Sequence, residues 1–172
     1  ILSSLEEVDF IFHLAAIVSV PYSMKHPEAT TEVNAEGTSK LLEAAVKNSV
    51  KKFIYVSSSA VYGDPKYLPI DENHPTDPVS YYAQSKLESE KTCARFKQKG
   101  KIETVIVRPF NIYGPRMQAN QYGSVIARFI ERLRNDLSPL IFGDGHQIRD
   151  FIHVDDMVEA LTLALSQKES VG

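Results

Sequence analysis

Three groups of residues have the types and spacing for acid–base chemistry. Tyr82 precedes Lys86 by four positions in SYYAQSKLES, residues 80–89, and on an α-helix that spacing sets both side chains on one face. Tyr81 points about 100° away from them. A run of hydroxyls, Ser57, Ser58 and Ser59, closes an apolar segment. A phenol with an ordinary pKa of about 10 is a poor base at neutral pH, and an ammonium one turn away favours the phenolate. A serine hydroxyl beside the same substrate oxygen donates to it or relays its proton. Together the three suit removal of a proton from a sugar hydroxyl while its carbon gives up hydride. No side chain accepts hydride, so a nicotinamide is required. Taken alone, Tyr-x-x-x-Lys is also the pattern of a solvated surface pair, so the surrounding elements have to bring the groups together.

Those elements are legible as an alternation. DFIFHLAA (9–16) is a short buried strand running into a turn of small residues, and 28–49 has helical spacing, with Val33, Gly37, Leu41 and Ala45 four apart. KKFIYVSSSA (51–60) is a second buried strand, followed by a loop with Pro65, Pro69, Pro75 and Pro78. Ser80 is the N-cap of a helix over 80–98 and Gly100 its stop. IETVIVRP (102–109) is a third strand, and after a Gly/Pro-containing loop Val125, Ile126, Phe129, Ile130 and Leu133 mark an amphipathic helix. PLIFGDG reads as a short strand and turn, and Asp155 or Asp156 as the cap of a last helix. Strand–helix alternation implies parallel strands joined by helical crossovers. In such sheets ligands gather beyond the carboxyl ends of the strands, where HLAA, SSSA and RPFNIYG all fall.

The bulk properties exclude several classes. The chain has 172 residues, 43% hydrophobic and 24% charged, enough for one domain core. A net charge of −3 gives no reason to expect nucleic acid or an anionic membrane as partner. No apolar run approaches a membrane span, and the five dispersed histidines suggest no metal site. Cys93 is the single cysteine, which rules out an internal disulfide and fits a reducing, cytoplasmic setting.

The segments HLAA, NAEGTSKLLEAA, YVSSSAVYG, YYAQSK, RPFNIYGPR and GDGHQIRDFIHVDD resemble, in order and over roughly residues 9–160, the extended short-chain dehydrogenase/reductases, in particular nucleotide-sugar epimerases and dehydratases. The resemblance implies a Rossmann-like α/β fold, a parallel sheet with flanking helices that lacks its N-terminal strands, and NAD as cofactor. It implies a partial NAD-binding domain over 1–115 and part of a substrate-binding region over 116–172. It makes Tyr82 the catalytic base, Lys86 its partner and holder of the nicotinamide ribose, and Ser58 the third member. Ala15, Ala16, Asn34, Ser57 and Pro109 fall on cofactor-side positions, and Ser59, Asn111, Arg116 and Arg149 on substrate-side ones. Arginine suits a diphosphate, offering a planar fork of donors. His13 and His153 read as packing or capping residues. A homodimer is implied through the helices near 31–49 and 80–98, whose outer faces carry Leu42, Val46, Ala94 and Phe96.

The family's G-x-x-G-x-x-G turn does not occur in the chain, and with it would go the residue that separates NAD from NADP. A segment of a longer protein is therefore expected. Related 4,6-dehydratases carry acidic residues directly after the triad hydroxyl, and related decarboxylases a glutamate; here those positions are Ser59 and Ala60. A 4-epimerase needs no second acid–base pair. The expectation is thus NAD-dependent 4-epimerisation of a UDP-hexose, with a dehydratase or reductase of the same superfamily, or a non-catalytic Rossmann binding protein, as the alternatives.

Overall fold

The computed structural model describes residues 5–117 and 124–166. They form two compact units, one of residues up to Arg108 together with those from Leu161 onward, the other Pro109–Ala160.

The first unit is built on a parallel sheet in the order β1 (Phe10–His13), β2 (Lys52–Val56), β3 (Glu103–Val107). Phe12 pairs with Ile54, and Ile54 with Val105. The central strand, KFIYV, has its first four residues buried, as a strand covered on both faces should. Lys52 at its start is buried as well, and its ammonium donates to the carbonyls of Ala164 and Leu165 and pairs with Glu103. Leu42, Ala45, Val50, Phe53, Tyr55, Cys93 and Ile102 make the core between the sheet and its helices. Leu42, expected on an outer dimer face, belongs to this core, and Val46 and Phe96 pack against it.

After β1 the chain enters α1 (Val20–Lys25), capped by the Ser19 hydroxyl, and α2 (Pro27–Thr31). A π-helical turn, Glu32–Glu36, then leads without a break into α3 (Gly37–Lys47). Helix was expected here, but on a different face: Val33 is exposed whereas Asn34 and Thr38 are fully buried. The wider π turn accommodates one extra residue and rotates the face presented to the protein interior.

The second strand ends earlier than its serines suggested. Ser58 caps a 3₁₀ turn, Ser59–Tyr62, by accepting from the Ala60 amide. Gly63 ends that turn at φ +65°, where a Cβ would run into the Asp77 carbonyl. A glycine is therefore required for this close approach, which lets the Asp77 amide donate to the Val61 carbonyl. Helix α4 (Tyr81–Gln98) starts as expected, with the Ser80 hydroxyl accepting from the Ala83 amide, and stops before Gly100 at φ +62°. Its buried side includes Ala83, Ser85, Lys86, Ser89, Glu90 and Cys93. The small residues let it lie close against α2 and the π turn; the charged ones need partners there.

The second unit holds a parallel pair, β4 (Asn111–Tyr113) with β5 (Phe151–His153), and the helix α5 (Val125–Arg134). Helix α6 (Val154–Ser166) starts in this unit and ends in the first. Two expectations are corrected. The segment PLIFGDG is not a strand: Leu140, Ile141 and Phe142 line an apolar crevice with Phe129 of α5, which is the use of their hydrophobicity. The strands of this unit are instead NIY and FIH. Asp155 and Asp156 lie inside the first turn of α6, after Val154, where their charge complements the helix N-terminus without capping it.

Candidate active site

In the first unit the carboxyl end of the sheet collects residues from four elements. Tyr82 and Lys86 come from the first turns of α4, Ser57 and Ser58 from the end of β2, His13 from the end of β1, and Asn34 from the π turn. The Tyr82 phenol is shifted above its ordinary pKa, chiefly by burial, while a hydrogen bond with the Ser58 hydroxyl pulls it back down. Lys86 is buried; its ammonium donates to the Val56 carbonyl at 2.5 Å and lies 4.5 Å over the Tyr55 ring. Burial lowers its pKa to about 8, against the opposing pull of Glu90 and Cys93. The Lys86 ammonium thus turns toward the strand end in this structure, while the Ser58 hydroxyl acts on the phenol.

Asn34 is a bracket rather than an exposed helical residue. Its Oδ1 accepts from the Ile17 amide at 2.8 Å, and its Nδ2 donates to the Ile17 carbonyl at 3.0 Å and to Ser85 Oγ at 3.0 Å. Ser85 in turn donates to the Tyr82 carbonyl at 2.8 Å. One amide side chain therefore ties the turn after β1, which contains Ala15 and Ala16, to the start of α4. Ala15 is exposed and Ala16 half-buried, so at these two positions the turn carries no side chain longer than a methyl group.

His13 is packed between Phe53 and Tyr55, 5.6 and 5.8 Å between ring centroids. Thr38 Oγ1 lies 2.9 Å from His13 Nε2 and donates its own proton to the Asn34 carbonyl. The hydroxyl can then only accept from the ring, which places the imidazole proton on Nε2. Burial, and secondarily the Lys86 charge, hold the His13 pKa down at about 4. The sign of the linkage follows: between pH 6.5 and 4 the unfolded chain takes up a proton that the folded one refuses, so stability falls as pH drops through that window. Denaturant melts of wild type should lose about 2 kcal/mol across it, and His13→Asn should show no such slope from this site.

Ser57 is buried and donates its hydroxyl to Glu90 Oε1 at 2.5 Å. Glu90, one turn beyond Lys86, also receives Arg108 Nη2 at 2.6 Å on Oε2 and Arg108 Nε at 3.0 Å on Oε1. Arg108 donates further to the Tyr62 hydroxyl at 3.2 Å. The Glu90 hydrogen bond is the chief reason that the guanidinium pKa is pushed up. Sequence reasoning missed Glu90 and Arg108; the available signal was an acidic residue four positions after Lys86, hence on the inward face of α4. Ser59 opens the 3₁₀ turn and is half-buried.

Pro109, Asn111, Arg116 and Arg149 belong to the second unit. Asn111 is half-buried and donates through Nδ2 to the Asp150 carbonyl at 2.8 Å. Arg149 is exposed, bonded to the Ile148 carbonyl, and borders the apolar crevice of about 750 Å³. Arg116 is exposed at φ +68°. Among the described residues no group of histidine, cysteine or carboxylate side chains has the makings of a metal site, and no helix is long and apolar enough to cross a membrane.

The chain is similar to several known proteins. UDP-glucose 4-epimerase of Mycolicibacterium smegmatis is 38% identical over 157 residues, 91% of this chain and 50% of that protein. dTDP-D-glucose 4,6-dehydratase of mouse is 36% identical over 169 residues, 98% of this chain and 47% of that one. The solved structure of UDP-N-acetylglucosamine 4-epimerase from Methanobrevibacter ruminantium, in complex with UDP-N-acetylmuramic acid, superposes with a TM-score of 0.95 at 38% identity, covering 98% of this chain and 55% of that one. The chain spans about half the length of the relatives it matches. Since the family pattern matches residues 1–172 throughout, the chain belongs to the NAD dependent epimerase/dehydratase family.

Proposed function

We propose that the protein is an isomerase that epimerises a nucleotide sugar at C4, with UDP-glucose and UDP-galactose as the default pair and NAD as cofactor. The observation that carries the reading is the meeting of the Ser58 hydroxyl with the half-buried Tyr82 phenol and of buried Lys86 one turn along α4, followed at 59 and 60 by residues without a carboxylate. The residues suit NAD. One of the three Lys86 ammonium donors is bonded to Val56, which leaves donors for a ribose diol, and the methyl-lined turn at Ala15 and Ala16 leaves its backbone approachable. Tyr82, Lys86, Asn34 through its hold on that turn, and Ser57 and Pro109 at the strand ends would hold it. NAD, when bound, supplies the carbon that takes hydride from sugar C4 and later returns it.

The chain's own residues do the proton work. Tyr82 as phenolate takes the C4 hydroxyl proton, and Ser58 holds the same oxygen. Lys86 positions the ribose and favours the phenolate by its charge. Tyr82 returns the proton once the 4-keto sugar has turned over, so no net oxidation results. Elimination across C5 and C6 requires a further acid–base pair, and Ser59 and Ala60 cannot supply one. Asn111, Arg116 and Arg149 are the substrate-side residues; Arg149 beside an apolar crevice suits a diphosphate whose base enters the crevice. A cytoplasmic homodimer through the outer faces of α3 and α4 completes the reading.

The test is product analysis by NMR with the full-length protein, NAD and UDP-galactose. UDP-glucose should appear without net cofactor reduction. A 4-keto-6-deoxy sugar would instead favour a dehydratase, the class to which the mouse relative belongs. No turnover of any nucleotide sugar would leave a binding protein.

A further inference from the structure

We propose that Glu90 and Arg108 are positioning residues which set the distance between Ser58 and Tyr82, acting through Ser57. The inference rests on the acid–base reading of that pair and deepens it. The geometry is a clamp among four elements. The Glu90 carboxylate, on a residue 4% exposed, lies on α4; both of its oxygens bond Arg108, which follows β3, and Oε1 also receives the Ser57 hydroxyl, which follows β2. Arg108 reaches the 3₁₀ turn through the Tyr62 hydroxyl and lies with its guanidinium carbon 5.0 Å from that ring's centroid.

The two residues of the reacting pair are carried by the two segments that the clamp joins. Tyr82 sits on α4 two turns before Glu90. Ser58 is the residue after Ser57, whose amide is already fixed to the Val107 carbonyl at 2.7 Å. Without the carboxylate, α4 and the end of β2 lose a side-chain tie next to the reacting hydroxyls. A plain structural ion pair does not require a serine of the strand end as third partner. Among the described groups, Lys86 and Cys93 of α4, Tyr55 of β2 and His13 of β1 share this interior, and the hydrogen bonds to the carboxylate come from Ser57 and Arg108.

The test uses the full-length protein with Glu90→Ala, Glu90→Gln and Ser57→Ala. In Glu90→Ala, kcat should fall about 10- to 100-fold, since small misplacements of reacting groups cost that much, with KM for the nucleotide sugar little changed. Combined with Ser58→Ala, it should add almost nothing to the loss from Ser58→Ala alone, because both act at one contact. Multiplying losses would overturn the proposal. A second readout needs no activity: titration of Tyr82 by NMR of ring-labelled tyrosine, assigned with Tyr82→Phe. Moving the Ser58 hydroxyl away from the phenol raises the phenol pKa, whereas removal of a nearby negative charge alone lowers it. A rise in the variant supports the clamp, and a fall or no change refutes it. Glu90→Gln, which keeps the shape and one acceptor, should recover part of kcat. If Glu90→Ala does not fold, Ser57→Ala decides: it leaves the ion pair intact and should cut kcat about three- to tenfold and raise the phenol pKa. A wild type that turns over no nucleotide sugar refutes the epimerase reading, and the titration still judges the clamp.

Discussion

Tyr82→Phe in the full-length protein is expected to lower kcat about a thousandfold while leaving affinity for nucleotide sugar and NAD within about threefold. The substitution removes one oxygen, the one on which the Ser58 hydroxyl acts, and keeps the ring. Burial raises the pKa of this phenol, so the side chain is protonated in isolation at neutral pH and is made a base only by the charge brought alongside it. Turnover should therefore rise with pH as the phenolate forms, and that limb should vanish in Tyr82→Phe. Rates from NMR time courses and affinities from calorimetry separate chemistry from binding. A variant with wild-type turnover would remove Tyr82 from the mechanism altogether.

Lys86→Met is expected to lose turnover by a similar factor, about a hundred- to a thousandfold, and to alter the dependence of stability on pH. The ammonium is nearly inaccessible to solvent, and burial holds its pKa at about 8 against an ordinary 10.5. Above pH 8 the folded chain releases a proton that the unfolded chain keeps, so stability rises with pH. From pH 7 to pH 9 this contributes about 1 kcal/mol, which the buried Cys93 thiol, held up at about 12, starts to offset as pH nears 9, where the unfolded thiol ionises. Chemical denaturation across that interval should show the rise in wild type and not in Lys86→Met. Wild type with no rise would mean that the ammonium is better solvated than its burial implies. The same burial is useful for catalysis, since a poorly solvated charge acts on its neighbours through a low dielectric.

The sequence made helix α4 legible because several signals coincide there. Ser80 supplies a cap, Gly100 a stop, and the spacing of Tyr82 and Lys86 fits one helical face. The parallel pairing of β1, β2 and β3 follows from alternation of apolar runs with helical ones, whereas their order in the sheet does not. What escaped was short or non-periodic. NIY and FIH are three residues each and pair across forty positions, too little for a period to register. PLIFGDG was misread because an apolar run looks the same whether it meets a strand or lines a crevice. Asn34 was assigned to the cofactor side by resemblance, but its hydrogen bonding depends on a π turn that no periodicity announces. Glu90 was overlooked because a lone acid on a helix is usually solvated, and only the fold brings Arg108 to it.

The π turn also constrains how this sequence can change over time. Deleting one residue within 32–36 would restore an ordinary α-helix, yet each residue of helix corresponds to about 100° of rotation. Asn34, which holds the turn after β1 against the start of α4, or Thr38, which fixes His13, would then swing out of reach. Substitutions on the exposed side of this helix are open to drift, whereas its length is not. Homologues that keep an asparagine able to make these bonds should therefore keep the number of residues between it and β1.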